Sequence, residues 1–287
     1  MADSNTVRKT DLLTPKLAPD TFKHLCDLIY EKTGIHFQDN KTYLLENRLL
    51  PRLRACRCET FEGYLNFLRF DAYRDREVTE LYTVITTNET YFFRDEAQLE
   101  SFMKVMIPEV MKTNADTKQL RIWSAACSTG DEPYTLALLL RDYMPLTGWS
   151  IDILATDISE NVLNTARTAT YSPHSLRKVP PAMLAKYFTG TKEHQTLVPQ
   201  VKDMVRFMNI NLYDRPRLKL IRGMDIVFCR NCLIYFDEKA KMQIVSDLRD
   251  ALRPKGYLMI GFSETLHDTA GHFKTIHAGR SVIHEKK

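Results

Sequence analysis

Short apolar runs alternate with helical periodicity from Leu120 to the end of the chain, and this alternation restricts the fold more than any other feature. Runs at Leu120–Ala125, Ser150–Ala155, Met224–Cys229 and Tyr257–Gly261 have the length and composition of strands. Between them lie helical patterns: one ending near Arg141, one from Ser159 to about Ala169, and one capped by Asp237 with Met242, Val245, Leu248 and Leu252 inward. Strands alternating with helices predict an α/β domain whose mostly parallel sheet is covered on both faces. Phe273–Ile276 and Ser281–Ile283 predict an antiparallel hairpin at the sheet edge. One insertion breaks the alternation after Tyr171-Ser172-Pro173. There 182–188 read as helix, and Thr196–Val201 and Met204–Met208 read as two short strands, giving a small antiparallel β-subdomain over about 172–209.

The first part of the chain is built differently. Met1–Pro19 is polar and aperiodic and is expected to stay without ordered structure. Asp20 is placed to cap a helix with Phe22, Leu25, Cys26 and Ile29 on one stripe, ended by Gly34. Leu45, Leu49 and Leu53 form a second stripe within 41–58, where Pro51 should start or bend part of the helix. Thr60 caps a third helix with Phe61, Tyr64, Leu65 and Leu68, and a fourth carries Val78, Leu81, Tyr82 and Ile85. Residues 20–86 therefore read as a small all-helical unit. Thr86–Arg94 breaks the periodicity, and Asp95 caps a helix with Leu99, Phe102, Met103, Met106 and Val110 inward. Residues 87–119 link this unit to the sheet domain at 120–287.

Composition narrows the function classes. A chain of 287 residues with 44% hydrophobic and 26% charged residues has an ordinary globular balance and room for two domains. The net charge of +4 does not by itself mark a nucleic-acid binder. The polar start lacks the apolar core of a secretion signal, so reduced thiols in a cytoplasmic protein are expected. No run approaches the ~20 apolar residues of a bilayer span. Cys229-Arg-Asn-Cys232 is a C-x-x-C, but no second ligand pair at zinc spacing stands out, and no metal is expected.

Ligands of open parallel sheets bind outside the carboxyl ends of the strands. Four features fall there: the loop Ala126–Gly130, Asp157, Asn211-Leu212 and Asn231. Small side chains let a ligand approach the loop backbone, and Asp157 stands where a carboxylate takes ribose hydroxyls, although a helix-entry carboxylate would look the same. The loop has one glycine and no G-x-G-x-x-G, and Asp131 and Glu132 at the helix start would repel a pyrophosphate. A cationic nucleoside suits these acids better; S-adenosylmethionine has a ribose, a sulfonium, an ammonium and no phosphate.

Thr86-Thr-Asn-Glu-Thr-Tyr-Phe-Phe-Arg94, Ser124-Ala-Ala-Cys-Ser-Thr-Gly-Asp-Glu-Pro-Tyr134, Ala155-Thr-Asp-Ile158 and Phe228-Cys-Arg-Asn-Cys-Leu-Ile-Tyr-Phe236 together resemble the chemotaxis receptor methyltransferases, the CheR family. The resemblance runs from about residue 20 to the end, with the motifs in the family's order. It implies an all-helical N-terminal domain, a linker, and a Rossmann-like S-adenosylmethionine-dependent methyltransferase domain with a β-subdomain. The implied reaction is methylation of glutamates on chemoreceptor cytoplasmic helices, giving γ-methyl esters and S-adenosylhomocysteine. Motif by motif, the resemblance puts cofactor contacts on Asn88, Thr90, Arg94, Glu132, Asp157, Asn211, Leu212, Asn231 and Cys232, and puts Arg94 and Tyr235 beside the transferred methyl. Asp131 stands where many relatives have Glu, and Cys127 where some have Ala; neither disturbs the cofactor assignment.

The residue types fit that chemistry. A glutamate with a reference pKa of about 4.3 is already an anion at neutral pH. It needs positioning and desolvation rather than a base. Arg94 is placed to hold either the incoming carboxylate or the cofactor's own, and Tyr235 to offer a hydroxyl; a salt-bridge partner and a core aromatic are the plain alternatives. Asn231-Cys-Leu-Ile lacks the two prolines of the Asn-Pro-Pro-Tyr loop of amine methyltransferases, which favours an oxygen acceptor.

Lys41, Arg48, Arg52, Arg54 and Arg57 crowd one helix, either as a solvated face or as a dock for the Glu-rich receptor helices. Some relatives grip a receptor-tail pentapeptide through a longer, Gly-bearing turn of the β-subdomain. Val198–Arg206, taken as that turn, is short and Gly-free, so independence of the tail is expected. The partners expected are thus receptors, with no nucleic acid and no direct membrane insertion, met by a cytoplasmic monomer recruited to membrane-bound arrays. A methyltransferase of RNA or small molecules, and a non-catalytic cofactor-sensing adaptor, are the competing functions.

Overall fold

The computed structural model describes residues 15–144, 147–266 and 271–287. Residues 1–14 of the expected tail lie outside them. The end of that stretch is ordered: Leu17 is buried and its N–H donates to Glu46 Oε2 at 2.8 Å. Pro19 suits a first helical position, so α1 spans Pro19–Thr33 with Ala18, not Asp20, at its N-cap. Gly34 closes it with φ 71° and an N–H to the Tyr30 carbonyl. After a 3-10 turn at Asp39–Lys41 come α2 (Thr42–Ala55), α3 (Phe61–Phe70) and α4 (Arg74–Ile85). Pro51 neither starts nor ends α2, which continues through it. The Thr60 hydroxyl caps α3 by accepting the Gly63 N–H at 3.0 Å. Leu25, Ile29, Leu45, Leu49, Tyr64 and Leu81 are fully buried between these helices.

Residues 96–113 form a rod in three pieces, not one uniform helix: α5 (Glu96–Ser101), a π-helical turn at Phe102–Met106, and α6 (Ile107–Thr113). Asp95 stands at the N-cap of α5 without capping it; its carboxylate serves Arg230 instead.

The second domain carries β1 (Gln119–Ala125), α7 (Asp131–Tyr143), β2 (Ser150–Asp157), α8 (Glu160–Thr168), β3 (Thr170–Tyr171), α9 (Pro173–Leu176), α10 (Pro181–Tyr187), β4 (Phe188–Gly190) and β5 (Gln195–Leu197). It continues with α11 (Pro199–Lys202), β6 (Val205–Asn209), α12 (Arg215–Leu218), β7 (Met224–Cys229), α13 (Glu238–Ala251), β8 (Leu252–Ile260), β9 (Phe273–Ala278) and β10 (Ser281–Lys286). Its main sheet runs β6-β2-β1-β7-β8-β10-β9. The first five strands are parallel, and β10 and β9 add the expected antiparallel edge hairpin. Every residue of β7 is buried, as a strand covered on both faces requires. α13 turns Ile244, Val245 and Leu248 inward, while Met242 faces out at 44% exposure.

The small sheet differs from expectation. It is the antiparallel set β3-β5-β4, and Val205–Asn209 does not belong to it. That run pairs in parallel with β2, Ile153 opposite Val205 and Asp157 opposite Asn209. An alternating run reads the same in a hairpin and at a parallel edge; only its partner decides. The true β-subdomain turn is Gly190–Gln195, not Val198–Arg206, and Gly190 sits in it with φ 129°. A Cβ at Gly190 would meet the His194 carbonyl oxygen at 2.4 Å. The β-subdomain turn is therefore not Gly-free, and the expected independence of the receptor tail has no support in it.

The two domains are tied by direct bonds. The Asn211 side chain donates to the Lys32 carbonyl at 2.7 Å, Tyr30 donates to Asp237 at 3.0 Å, and the His36 N–H donates to the Tyr235 carbonyl at 2.9 Å. These contacts set the helical domain over the carboxyl ends of β1, β2, β6 and β7.

Candidate active site

The switch in strand order between β1 and β7 opens a crevice at the carboxyl edge, where ligands of such sheets bind. Two adjoining cavities share Thr87, Asn88, Ala126, Ser128 and Asn231 in their walls and form one cleft. The first also takes in Thr90, Arg94 and Glu132; the second takes in Asp157, Asn211, Leu212, Cys232 and Tyr235. Every residue named for the cofactor or for catalysis thus lines this cleft, although the residues span Asn88 to Tyr235.

The backbone around the cleft is bent in a consistent way. Phe93, Asp95, Ala126, Ser128 and Asn231 all have φ between 50° and 60°, a left-handed conformation that is unusual away from glycine. Gly130, with φ 88°, closes the first loop; a Cβ there would stand 2.9 Å from Ala166 Cβ. These turns aim the Ser128 N–H at Asp157 Oδ2, at 2.9 Å, while Oδ1 accepts the Ser159 N–H at 2.9 Å. Burial pushes the Asp157 carboxyl above the ordinary range, offset only in part by backbone donors from Ser159, Ser128 and Ile158. Each of its oxygens keeps a lone pair for a hydroxyl. Beside it Ile35, Ile210, Leu212 and Phe236 supply an apolar wall suited to a purine ring.

Of the two acids at the start of α7, only Glu132 faces the cleft. Asp131 is fully buried and accepts the Thr129 hydroxyl at 2.6 Å. Glu132 accepts Ser124 Oγ at 2.7 Å and Arg230 at 2.9 Å. Arg230, absent from the sequence-derived site, is the most connected cation there. Its side chain is 3% exposed and donates to Gln98 Oε1, Glu132 Oε2, the Arg94 carbonyl and Asp95 Oδ2. Its signal is an arginine directly after a buried strand that is apolar from Ile226 to Cys229, a position that demands buried acids in return. Arg94 is free of such ties: it donates to the Glu89 carbonyl at 2.9 Å, lies 5.9 Å from the Tyr91 ring centroid, and makes no ion pair among the described residues. It is therefore not a structural salt-bridge partner. Tyr235 is half-buried at the cleft wall and packs against the helical core.

The cleft presents three carboxylates (Glu89, Glu132 and Asp157) against two guanidiniums, of which Arg230 is already neutralised. That balance and the lone pairs left on Asp157 fit a cationic nucleoside and disfavour a pyrophosphate. Cys229 closes β7 and Cys232 stands in the loop beyond it; among the described residues no cluster of metal-ligating side chains occurs.

The basic helix is only partly free. Arg52 is spent on Glu77, at 2.8 and 2.5 Å, and on Glu80 at 3.4 Å, and it joins α2 to α4. Arg48 reaches across to the Ile85 carbonyl and to Thr87 Oγ1 at 2.6 Å, so it braces the cleft wall. Lys41, Arg54 and Arg57 are exposed and lie outside the cleft.

Comparison with known proteins agrees with this geometry. The model of the CheR methyltransferase all-alpha domain matches residues 20–86, and that of the CheR methyltransferase SAM binding domain matches 88–282. Chemotaxis protein methyltransferase 2 of Vibrio cholerae is 36% identical over 84% of this chain and 83% of its own length. The chemotaxis protein methyltransferases of Borreliella burgdorferi (34%; 91% and 94% covered) and Salmonella typhimurium (32%; 88% and 86% covered) are similar along comparable lengths.

Proposed function

The chain belongs to the CheR methyltransferase family and uses S-adenosylmethionine, and from that premise we propose that it methylates glutamate side chains of chemoreceptor cytoplasmic domains. The product is the γ-methyl ester, formed during sensory adaptation. One observation carries the choice of acceptor: among the described residues Arg94 lines the cleft with no carboxylate partner, and neither His nor Lys lines the walls. An unpaired guanidinium suits an anionic acceptor, and a carboxylate that is already ionised needs no base.

The residues divide the work as follows. Asp157 takes hydroxyls, Leu212 and the Asn211 backbone flank the base, and Asn88, Thr90, Glu132, Asn231 and Cys232 line the remaining cofactor wall. Bound there, the cofactor supplies an electrophilic methyl on a sulfonium. Arg94 orients a carboxylate and Tyr235 offers its hydroxyl near the reacting oxygen. The helical domain excludes water from above, which strengthens each charge interaction inside.

The receptor docks on Lys41, Arg54 and Arg57; Arg48 and Arg52 act within the fold instead. The enzyme works as a cytoplasmic monomer recruited to receptor arrays. Binding of the receptor tail is a separate question, read by calorimetry with a free tail pentapeptide, and the Gly190–Gln195 turn is the segment to vary.

Incubation with methyl-labelled cofactor and a receptor cytoplasmic fragment tests the reaction. The expected label is protein-bound and released by mild base. Base-stable label on RNA or on a small molecule would transfer the assignment to that acceptor class, and binding without transfer would leave an adaptor.

A further inference from the structure

The loop that carries Asn231 to Tyr235 must hold its place without regular secondary structure over its first residues. Asn231 is left-handed, Cys232 follows, and a 3-10 turn begins only at Leu233. What holds it is a carboxylate from beyond β8. Glu264 is 8% exposed, and three backbone N–H groups converge on it: Gly261 at 2.6 Å and Asn231 at 3.0 Å on Oε2, and Ile234 at 3.2 Å on Oε1. Among the described residues no cation pairs with it, and peptide N–H groups are the partners it has there. The fit is tight on the far side too. A Cβ at Gly261 would stand 2.7 Å from Glu264 Oε2 and 2.8 Å from the Asn231 nitrogen.

We propose that Glu264 is a positioning residue for methyl transfer: its carboxylate fixes the backbone of residues 231–234 so that Asn231 and Tyr235 meet the cofactor and acceptor in register. Two observations separate this role from general packing. First, two of the three bonds go to the backbone of a loop whose Asn231 lines both cavities of the cleft and whose Cys232 and Tyr235 line the second. Second, Arg230, the residue just before the loop, is itself anchored, and its partner Gln98 also donates to the Ile260 carbonyl at 2.7 Å. The end of β8 therefore meets both anchors of the loop. Reaction geometry is sensitive to shifts of this kind; a misplacement of about 1 Å costs about a hundredfold in rate.

The test compares Glu264→Ala, Glu264→Gln and Gly261→Ala with the unaltered protein, well below each variant's unfolding midpoint. S-adenosylhomocysteine affinity is read by calorimetry and methyl transfer by the labelled-cofactor assay. The binding arm does not depend on which acceptor is methylated, so its failure is distinct from failure of the glutamate assignment. Glu264→Ala is expected to weaken cofactor binding by about tenfold and to lower kcat by about a hundredfold. Glu264→Gln, which keeps one acceptor oxygen for Gly261 and Asn231, should recover most of the binding loss. Gly261→Ala should reproduce the defect, and its effect combined with Glu264→Ala should be less than the product of the two, because both disturb one contact. If Glu264→Ala does not fold, Glu264→Gln and Gly261→Ala carry the test. Wild-type binding and kcat, within about twofold, in a folded variant whose unfolding midpoint has dropped would overturn the proposal and leave Glu264 a packing residue.

Discussion

Replacing Arg230 by methionine should both destabilise the protein and loosen the cleft. The guanidinium is 3% exposed and makes two ion pairs, with Asp95 at 2.6 Å and Glu132 at 2.9 Å. Asp95 is 33% exposed and can recover water, whereas Glu132 at 13% cannot recover much. Removing one member of a buried pair costs about 3–5 kcal/mol, because the other charge is left behind. The partial exposure of Asp95 and the surviving Ser124 bond to Glu132 put Arg230→Met at the low end, about 3 kcal/mol. For a chain of 287 residues that is a fall of about 5 °C in Tm. Cofactor affinity should drop about tenfold or more, since Glu132 and the Arg94 backbone both lose their brace. Arg230→Lys keeps the charge but cannot reach Gln98, Glu132 and Asp95 together, and should fall between the two proteins. Scanning calorimetry and isothermal titration with S-adenosylhomocysteine measure both effects. A Tm within 2 °C of the parent together with unchanged affinity would refute the assignment of Arg230 as the brace.

Three further outcomes follow from the same geometry. Gly130→Ala forces a Cβ into a left-handed position 2.9 Å from Ala166 and should cost about 2 kcal/mol or more in chemical denaturation. Burial would raise the Glu77 carboxyl, but bonds from Arg52, Tyr64 and Cys56 outweigh it and lower the pKa. That stabilisation is full above the ordinary glutamate value and is lost as pH falls through the depressed one. The stability difference between the protein and Glu77→Gln should therefore shrink on acidification below about pH 4.3, and a pH-independent difference would contradict the pairing. Charge reversal at Lys41, Arg54 and Arg57 should weaken receptor methylation while leaving cofactor affinity unchanged. Reversal at Arg48 should alter cofactor affinity through Thr87.

The cleft was legible in the sequence because its parts sit at predictable places. Met224–Cys229 is apolar but for Asp225 and reads as an interior strand, which puts Asn231 at its carboxyl edge. The loop Ala126–Gly130 follows β1 in the same way, and Asp157 ends β2. What stayed hidden depends on partners distant in sequence. Arg230 meets Asp95 across 135 positions, and Glu264 meets Asn231 across 33; periodicity is silent on such pairings. Arg48 and Arg52 read as surface charge because a sequence shows the guanidinium and not the Thr87 or Glu77 that takes it. β6 was assigned to the wrong sheet for the same reason, since alternation gives the faces of a strand but not its neighbour.

The glutamate assignment is tested most directly by tandem mass spectrometry of a chemoreceptor cytoplasmic fragment after incubation with the enzyme and S-adenosylmethionine. The account predicts one added methylene group on discrete glutamates of the helical bundle, removed by mild base and absent when Arg94 is replaced by alanine. Methylation on lysine, arginine or the peptide termini, or transfer that persists at full rate in Arg94→Ala, would contradict it.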